Sequence, residues 1–468
     1  MRSRPNILLI TADDMNWDAV GAYGCPVPGT TPNIDRLAAG GMRFEHAHIT
    51  IAVCQPSRSV LMTGRYPHNN GGEGFFHLRE EGIPILPDLL RSAEYLVGIL
   101  GKLAHSTPYA EFEWDMHVDM EQLGMGRNPA VYRQHTEEFL KRAAEANRPF
   151  FLMVNSHDPH RPFHGNDREE WYTTTDPPAV PPSRTFTAED VVTPGHLDDL
   201  PEVRREIAEY YSSVRRCDDT VGDVLDAVAA AGAEENTVVL FLSDNGMAFP
   251  FAKTNCYLNS TRTPWIVRWP AVIPPDSHDG EHLVSGIDLL PTLLEAAGIE
   301  TPDGVDGRSF LPVWRGESQE GRDRVFTEFH QTAGRGNYPM RCVQTKDYGY
   351  IYNPWSDGER VFRNESQAGR TFKAMEAAAE GDPAVAARVE MFLYRVPEEL
   401  YDFATDPAAR VNLIDDPAHA DQLHDLRASL AEPLDATDDP ALDAFRGRND
   451  PDRAMQLRTD MVRSLGGS

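Results

Sequence analysis

Asp13-Asp14, Cys54, Arg58, Lys102, His105, His160, Asp244-Asn245 and Lys253 are the residues of this chain whose types could do chemistry together. Asp13-Asp14 closes one apolar run and Asp244-Asn245 closes another far downstream, while Lys102, His105 and His160 each follow a further run. All four acid and amide side chains offer oxygen, which suits a hard divalent cation, Ca2+ with Mg2+ as the alternative. An isolated Asp-Asp pair would read as a solvated turn; the second pair at another strand end is what points to a metal. Cys54-Gln55-Pro56-Ser57-Arg58 opens a predicted helix. A Cys near an Arg is more often packing than chemistry, but a helix N-terminus and nearby cations would also lower a thiol's pKa and make it a nucleophile. Arg58 supplies a fixed charge and a planar donor fork, and His160 a group able to carry a proton near neutrality.

The elements that must hold these residues are legible as apolar runs. Asn6 to Thr11, Glu94 to Leu100, Phe150 to Asn155, Thr237 to Leu242 and Trp265 to Trp269 read as strands, the first and fourth as strands buried on both faces of a parallel sheet. Open α/β sheets gather functional groups at the carboxyl ends of such strands. Thr31 as N-cap, Pro32 in the first turn and Gly40-Gly41 as a stop predict a short helix. Residues 131–146, 202–231 and 286–297 read as helices, and 161–201, rich in Pro, Asp and Thr, as a long excursion. From Arg324 the apolar residues alternate with polar ones (Val325 to Phe329, Met340 to Gln344, Tyr348 to Tyr352), which predicts a smaller antiparallel sheet. A catalytic domain over 1–320 and a smaller α+β subdomain over 321–468 are expected, with helix within 373–395.

With 468 residues the chain can bury a large core. Its net charge of -29 argues against nonspecific nucleic-acid or anionic-membrane binding. Lysine is confined to Lys102, Lys141, Lys253, Lys346 and Lys373, so arginine carries almost all the positive charge, and an anionic substrate would depend on a few focused cations. The acidic, lysine-poor balance raises a salt-rich cytoplasm as one reading, which stability measured against KCl concentration tests. The five cysteines (Cys25, Cys54, Cys217, Cys256, Cys342) are odd in number and lack any C-x-x-C pair, the pattern of neither a disulfide framework nor a zinc site. Reduced thiols, an N-terminus without a signal-peptide core and the lack of a transmembrane-length run predict a soluble, cytoplasmic protein.

Cys54-Gln55-Pro56-Ser57-Arg58, continued by Leu61-Met62-Thr63-Gly64-Arg65, resembles the C-x-P-S-R…L-x-T-G-R signature of the type I sulfatases, and the likeness runs from Pro5 to about Leu413. Within that family the chain is most similar to the sulfamidase branch, on His157-Asp158-Pro159-His160-Arg161, Lys253-Thr254-Asn255 with Tyr257, and Tyr338-Pro339-Met340-Arg341 with Val343-Gln344. The resemblance implies an α/β, alkaline-phosphatase-like fold: a mixed, mostly parallel sheet flanked by helices, with a smaller C-terminal antiparallel sheet. It implies that a formylglycine-generating enzyme transiently binds the chain and oxidises Cys54, and that Asp13, Asp14, Asp244 and Asn245 hold Ca2+ beside the modified Cys54. Arg58 and Lys102 would hold the hydrated aldehyde, His105 would release sulfate, and His160 and Lys253 would contact sulfate and the leaving atom. Two departures stand out. The family spacing G-K-x-H is here Gly101-Lys102-Leu103-Ala104-His105, and the usual Y-E-G-G is Tyr257-Leu258-Asn259-Ser260. The sulfamidase branch also lacks that acid, and carries Arg where Lys253 stands.

Asn70, His77, Asp158, Arg161 and Arg341 flank the motifs and are candidates to contact a small sulfated saccharide, N-sulfoglucosamine being the sharpest expectation. The runner-up readings are a phosphomonoester or phosphodiester hydrolase on the same scaffold and a non-catalytic binding protein with unmodified Cys54.

Overall fold

Ile7 and Leu9 point to one side of the first strand, Leu8 and Ile10 to the other, and all four are fully buried. That strand, Asn6–Ala12 (β1), is the centre of the fold. The computed structural model describes residues 4–75, 82–106, 112–166 and 175–464. Met42–His48 (β2), Leu96–Leu100 (β3), Met116–Val118 (β4), Phe150–Asn155 (β5), Thr237–Ser243 (β6), Trp265–Arg268 (β7) and Ser277–Ser285 (β8) join β1 in an eight-stranded sheet of order β4-β3-β5-β1-β6-β7-β2-β8. Its pairs are parallel except those that β7 makes with β6 and β2.

Helices cover both faces, as parallel sheets require. Pro129–Ala146 and Pro201–Ala230 pack on the side of Leu8 and Ile10. Cys54–Thr63, Leu86–Ser92 and Leu289–Ala296 pack on the side of Ile7 and Leu9. Each fully buried Leu or Ile contributes roughly 1.5–3 kcal/mol, so the continuous apolar strands are what anchor the sheet. Val325–Gln331 (β9), Asn337–Gln344 (β10), Tyr348–Tyr352 (β11) and Glu398–Asp402 (β12) form a separate antiparallel sheet of order β12-β11-β10-β9. One face, with Phe329, Met340 and Tyr401, packs toward Val53, Val60 and Tyr257 beside the Cys54 helix. The other, with Val343, Tyr350 and Leu400, is covered by the helix Ala420–Ala436.

The predicted strands and helices are found within a few residues. The Cys54 helix is longer than the expected Ser57 start would make it, because Cys54 itself is its first residue. Glu398–Asp402 adds a fourth strand that the alternation from Arg324 does not announce: Leu400 and Tyr401 alternate between the two apolar faces of the small sheet. Among the described residues no helix is long and apolar enough to cross a membrane.

The long excursion ending at Pro201 buries His196, 2% exposed. Burial, helped by the charges of Arg388 and Arg410, pulls its imidazole down to about 3. The unfolded ring titrates near ~6.5, so between these values the unfolded chain binds a proton that the folded chain does not. Stability is therefore full above the unfolded value and is lost as pH falls below it. Replacing His196 with Gln should reduce the loss between pH 7 and pH 5 by about 2 kcal/mol, measured by urea unfolding; an unchanged loss would show that the ring titrates normally in the folded protein.

Candidate functional site

The carboxyl ends of β1, β3, β5 and β6 converge on the N-terminus of the Cys54 helix. Asp13 and Asp14 follow β1, Asp244 and Asn245 follow β6, and all four are fully buried. Oxygens of Asp13, Asp14 and Asp244 lie within 4.8 Å of one another. Cys54 Sγ is 3.3 Å from Asp13 Oδ1 and 4.0 Å from Asp14 Oδ1. Every residue of the Cys54 helix is buried, so its N-terminal partial charge acts in a poorly screened interior.

Three cations answer the three acids. Arg58 meets Asp244 through Nε at 2.9 Å and Nη2 at 2.7 Å. Its Nη1 donates to Thr11 Oγ1 and Asn155 Oδ1 at 2.8 and 2.6 Å. Lys102 pairs with Asp13, and Lys253 Nζ reaches both oxygens of Asp14 at 2.8 and 2.9 Å. Asn245 Nδ2 also donates to Asp14 Oδ1 at 2.6 Å. Burial works to raise Asp13, but Lys102, His160, Arg58 and Lys253 together outweigh it and hold its carboxyl well below the usual range. For Asp14 and Asp244 burial dominates, and both are pushed up to about 7 despite Lys253 and Arg58 respectively. Burial, reinforced by the Asp13 charge, raises the Cys54 thiol well above its ordinary value, so as a thiol it is protonated and a poor nucleophile.

Lys102 and His105 are placed by an unusual bend. Gly101 and Lys102 both have positive φ, 74° and 53°. A Cβ on Gly101 would lie 2.5 Å from the Asn155 carbonyl oxygen, so glycine is required there. Leu103–Ser106 then forms a helical turn, with the His105 and Ser106 amides donating to the Lys102 carbonyl. The extra residue between Lys102 and His105 is absorbed in that turn, and His105 still lines the same cleft as Cys54. Burial, with Lys102 nearby, draws its imidazole down to about 3. His160 faces the acids from β5: its Nδ1 lies 2.6 Å from the Arg161 carbonyl oxygen and its Nε2 4.0 Å from Asp14 Oδ2. Nδ1 is thereby the protonated nitrogen, and Nε2 is left toward the cleft. Burial and the Lys253 charge bring it to about 4.

The cleft above Cys54 has a volume of about 670 Å3. Phe75, His105, His160 and Lys253 line one part of it; the β9–β10 connection with Tyr338, and Asn364-Glu365, line the rest. Phe251 and Thr254 on either side of Lys253 take positive φ, 61° and 66°, a strain typical of functional loops.

The flanking candidates are placed differently. Asn70 is buried and donates to Thr63 Oγ1 and the Arg65 carbonyl while accepting from Gly72. Asp158 is buried between Arg216 and Arg127, and Arg127 also bonds the His160 carbonyl, so Asp158 braces the His160 loop. Arg161 turns to Glu206 and the Ala248 carbonyl and stacks over Phe163. Arg341 is buried against Asp439 at 2.6 Å and Glu328 at 3.4 Å. None of these four lines the cleft; His77 lies outside the described residues. Replacing Arg341 with Met should leave KM unchanged and destabilise the fold by about 3–5 kcal/mol, because the buried Asp439 loses its bidentate partner; a raised KM at unchanged melting temperature would contradict this placement.

Two site residues carry no sequence signal of their own. Asn155 ends β5 and holds Arg58 with its side-chain oxygen, and the only clue is its place after an apolar run. Glu365, whose Oε1 is 2.5 Å from Lys253 Nζ, comes from a far part of the chain with no motif around it.

A mixed, mostly parallel sheet flanked by helices, with an acid-lined strand-end site facing a helix N-terminus, is an alkaline-phosphatase-like fold. Solved structures carry the same fold: a 2-O GAG sulfatase aligns with a TM-score of 0.67 at 22% identity, covering 95% of this chain and 94% of that one. A phosphonate monoester hydrolase of Agrobacterium radiobacter aligns with a TM-score of 0.62 at 19% identity, over 91% and 96%. The sulfatase family model matches residues 5–299, and a second model, N-sulphoglucosamine sulphohydrolase, C-terminal, matches residues 248–359. Human N-sulphoglucosamine sulphohydrolase is 32% identical over 94% of this chain and 92% of its own length. An ulvan-active sulfatase of Formosa agariphila is 28% identical over 88% and 76%. The chain belongs to the sulfatase family, enzymes that hydrolyse sulfuric esters or sulfamates.

Proposed function

We propose that this protein removes sulfate from a small sulfated saccharide, with N-sulfoglucosamine as its substrate, using a formylglycine at position 54 and a bound Ca2+. The observation that carries the reading is the convergence of three acids and three cations around Cys54, which with Lys253 lines the cleft. The sulfohydrolase relative at 32% identity supports the choice of sugar.

The donor set suits a hard cation. Asp13, Asp14 and Asp244 supply carboxylate oxygens, and the buried Asn245 Oδ1 has no hydrogen-bond partner among the described residues. Those residues would hold the ion, with position 54 alongside. When bound, it would polarise the sulfate oxygens and lower the pKa of a hydroxyl beside it. Oxidation of Cys54 would replace an unreactive buried thiol with an aldehyde whose hydrate can attack sulfur.

The remaining steps belong to side chains already in place. Arg58, locked by Asp244, Thr11 and Asn155, would fix the charge developing at position 54 without reorganising. Lys102 would orient the same group. Lys253, at the cleft floor, would neutralise the transferred group. His160 would give a proton from Nε2 to the leaving atom; an anionic sulfate beside it raises its pKa from the resting value. His105 would accept the proton whose loss releases sulfate and restores the aldehyde.

The mass of the tryptic peptide Phe44 to Arg58, taken from protein made in its native host, tests the nucleophile. An aldehyde or its hydrate, together with sulfate release from N-sulfoglucosamine that EDTA abolishes and Ca2+ restores, is the expected result. An unmodified thiol in active protein would sink the mechanism.

A further inference from the structure

Among the described residues that line the cleft Glu365 is the only carboxylate, and the proposed reaction does not use it. It opens a short turn, Glu365–Ala368, whose N-cap Asn364 accepts from the Ser366 amide and donates to Thr254 Oγ1 at 2.7 Å. The turn is thus pinned to the residue next to Lys253. Glu365 Oε1 lies 2.5 Å from Lys253 Nζ, and ligand-type atoms of Glu365, His160 and Asp14 fall within 4.8 Å of one another. Its side chain remains 36% exposed, on the cleft side.

A carboxylate there is a liability for a site that admits an anion. Lys253 is already paired with both Asp14 oxygens, so Glu365 is not needed to balance its charge. A carboxylate can accept a hydrogen bond from the leaving atom and, unlike the neutral acceptors of the cleft, does so with a full negative charge. A sulfamate nitrogen bears a hydrogen; an ester oxygen bears only lone pairs, which a carboxylate repels. The products differ in the same sense. Hydrolysis of R–NH–SO3− with water breaks the S–N bond, leaves its electron pair on nitrogen and gives R–NH3+ and SO4 2−. Hydrolysis of R–O–SO3− gives neutral R–OH and HSO4−. Only the first leaves a cation beside Glu365, and a charge-assisted hydrogen bond is about twice as strong as a neutral one.

We propose that Glu365 is a specificity-determining residue that selects sulfamates over sulfate esters by accepting a hydrogen bond from the bridging nitrogen and holding the ammonium product. This rests on the hydrolase reading above and deepens it. Glucose 2-sulfate differs from N-sulfoglucosamine only in the bridging group, so the change in their kcat/KM ratio between wild type and variant isolates what Glu365 adds to the discrimination. The wild type should prefer the sulfamate, and Glu365→Gln should narrow the preference at least tenfold. Loss on both substrates in parallel would mean that Glu365 only positions Lys253, and would overturn the assignment. Calorimetric binding of glucosamine and glucose at pH 7 gives a readout independent of turnover. The wild type should bind glucosamine more tightly, and E365Q should erase the difference; an equal difference in both proteins overturns the proposal. A wild type that hydrolyses neither sulfated sugar defeats the hydrolase reading, and the binding comparison then decides Glu365 by itself.

Discussion

Replacing Cys54 with Ala lowers sulfate release by about 10^4-fold or more, the scale seen when a nucleophile is removed from a site that otherwise stays assembled. The fold survives. The side chain is small, and its polar contacts among the described residues are the 3.3 and 4.0 Å approaches of Sγ to Asp13 and Asp14. Removing sulfur from among these carboxylates leaves their pairing with Lys102 and Lys253 intact. The melting temperature should therefore move by only a few degrees while turnover vanishes. Ion chromatography of released sulfate and a thermal melt on the same preparation check both halves. Activity within tenfold of wild type would place the nucleophile elsewhere.

The second large effect is on stability. Arg58 is fully buried and directs its Nε and Nη1 donors to Asp244, Thr11 and Asn155. Replacing it with Met, close in length and uncharged, leaves Asp244 buried without its main partner. Removing one member of a buried pair costs about 3–5 kcal/mol. The loss also depends on pH. Burial already holds Asp244 up to about 7 with Arg58 in place; without the guanidinium it is higher still. A carboxyl raised above its unfolded value stabilises at low pH and ceases to do so as pH rises through the folded value. The deficit of Arg58→Met should thus be larger at pH 8 than at pH 6, where Asp244 can keep its proton. Urea unfolding at both values decides it, and a deficit independent of pH would show that Asp244 stays ionised throughout.

What could be read before the structure follows from how each part is stabilised. β1, β3, β5 and β6 are buried on both faces over most of their length, so their sequences are apolar runs and their ends are marked by polar residues. Asp13, Asp14, Asp244 and Lys102 could be placed for that reason. β2, with Arg43, Glu45 and His46, and β8, whose first half is solvated, lack that signal because they lie at the sheet's margin. β4 is only three residues long and is held by its neighbour β3. Asn70 and Arg341 were nominated by proximity to motifs, yet a side chain next to a site in sequence can as easily brace the scaffold. Glu365 could not be nominated, because its meaning comes from Lys253, a neighbour only in space. The spacing before His105 shows one extra residue, but the turn Leu103–Ser106 that takes it up exists only in the folded chain.

The cleft's far wall comes from residues 332–338 and 363–365, while every charged group at its floor lies before residue 254. Inheritance can therefore act on the two parts separately. Changes at 332–338 can retune which sugar is admitted without disturbing the reactive floor, whereas Asn364 and Glu365 are tied to Thr254 and Lys253. Changes in the floor would be lost, because each of its ions is locked to another. A lineage of such enzymes would diversify in diet while keeping one reaction, and the later third of the chain is where that history would be written.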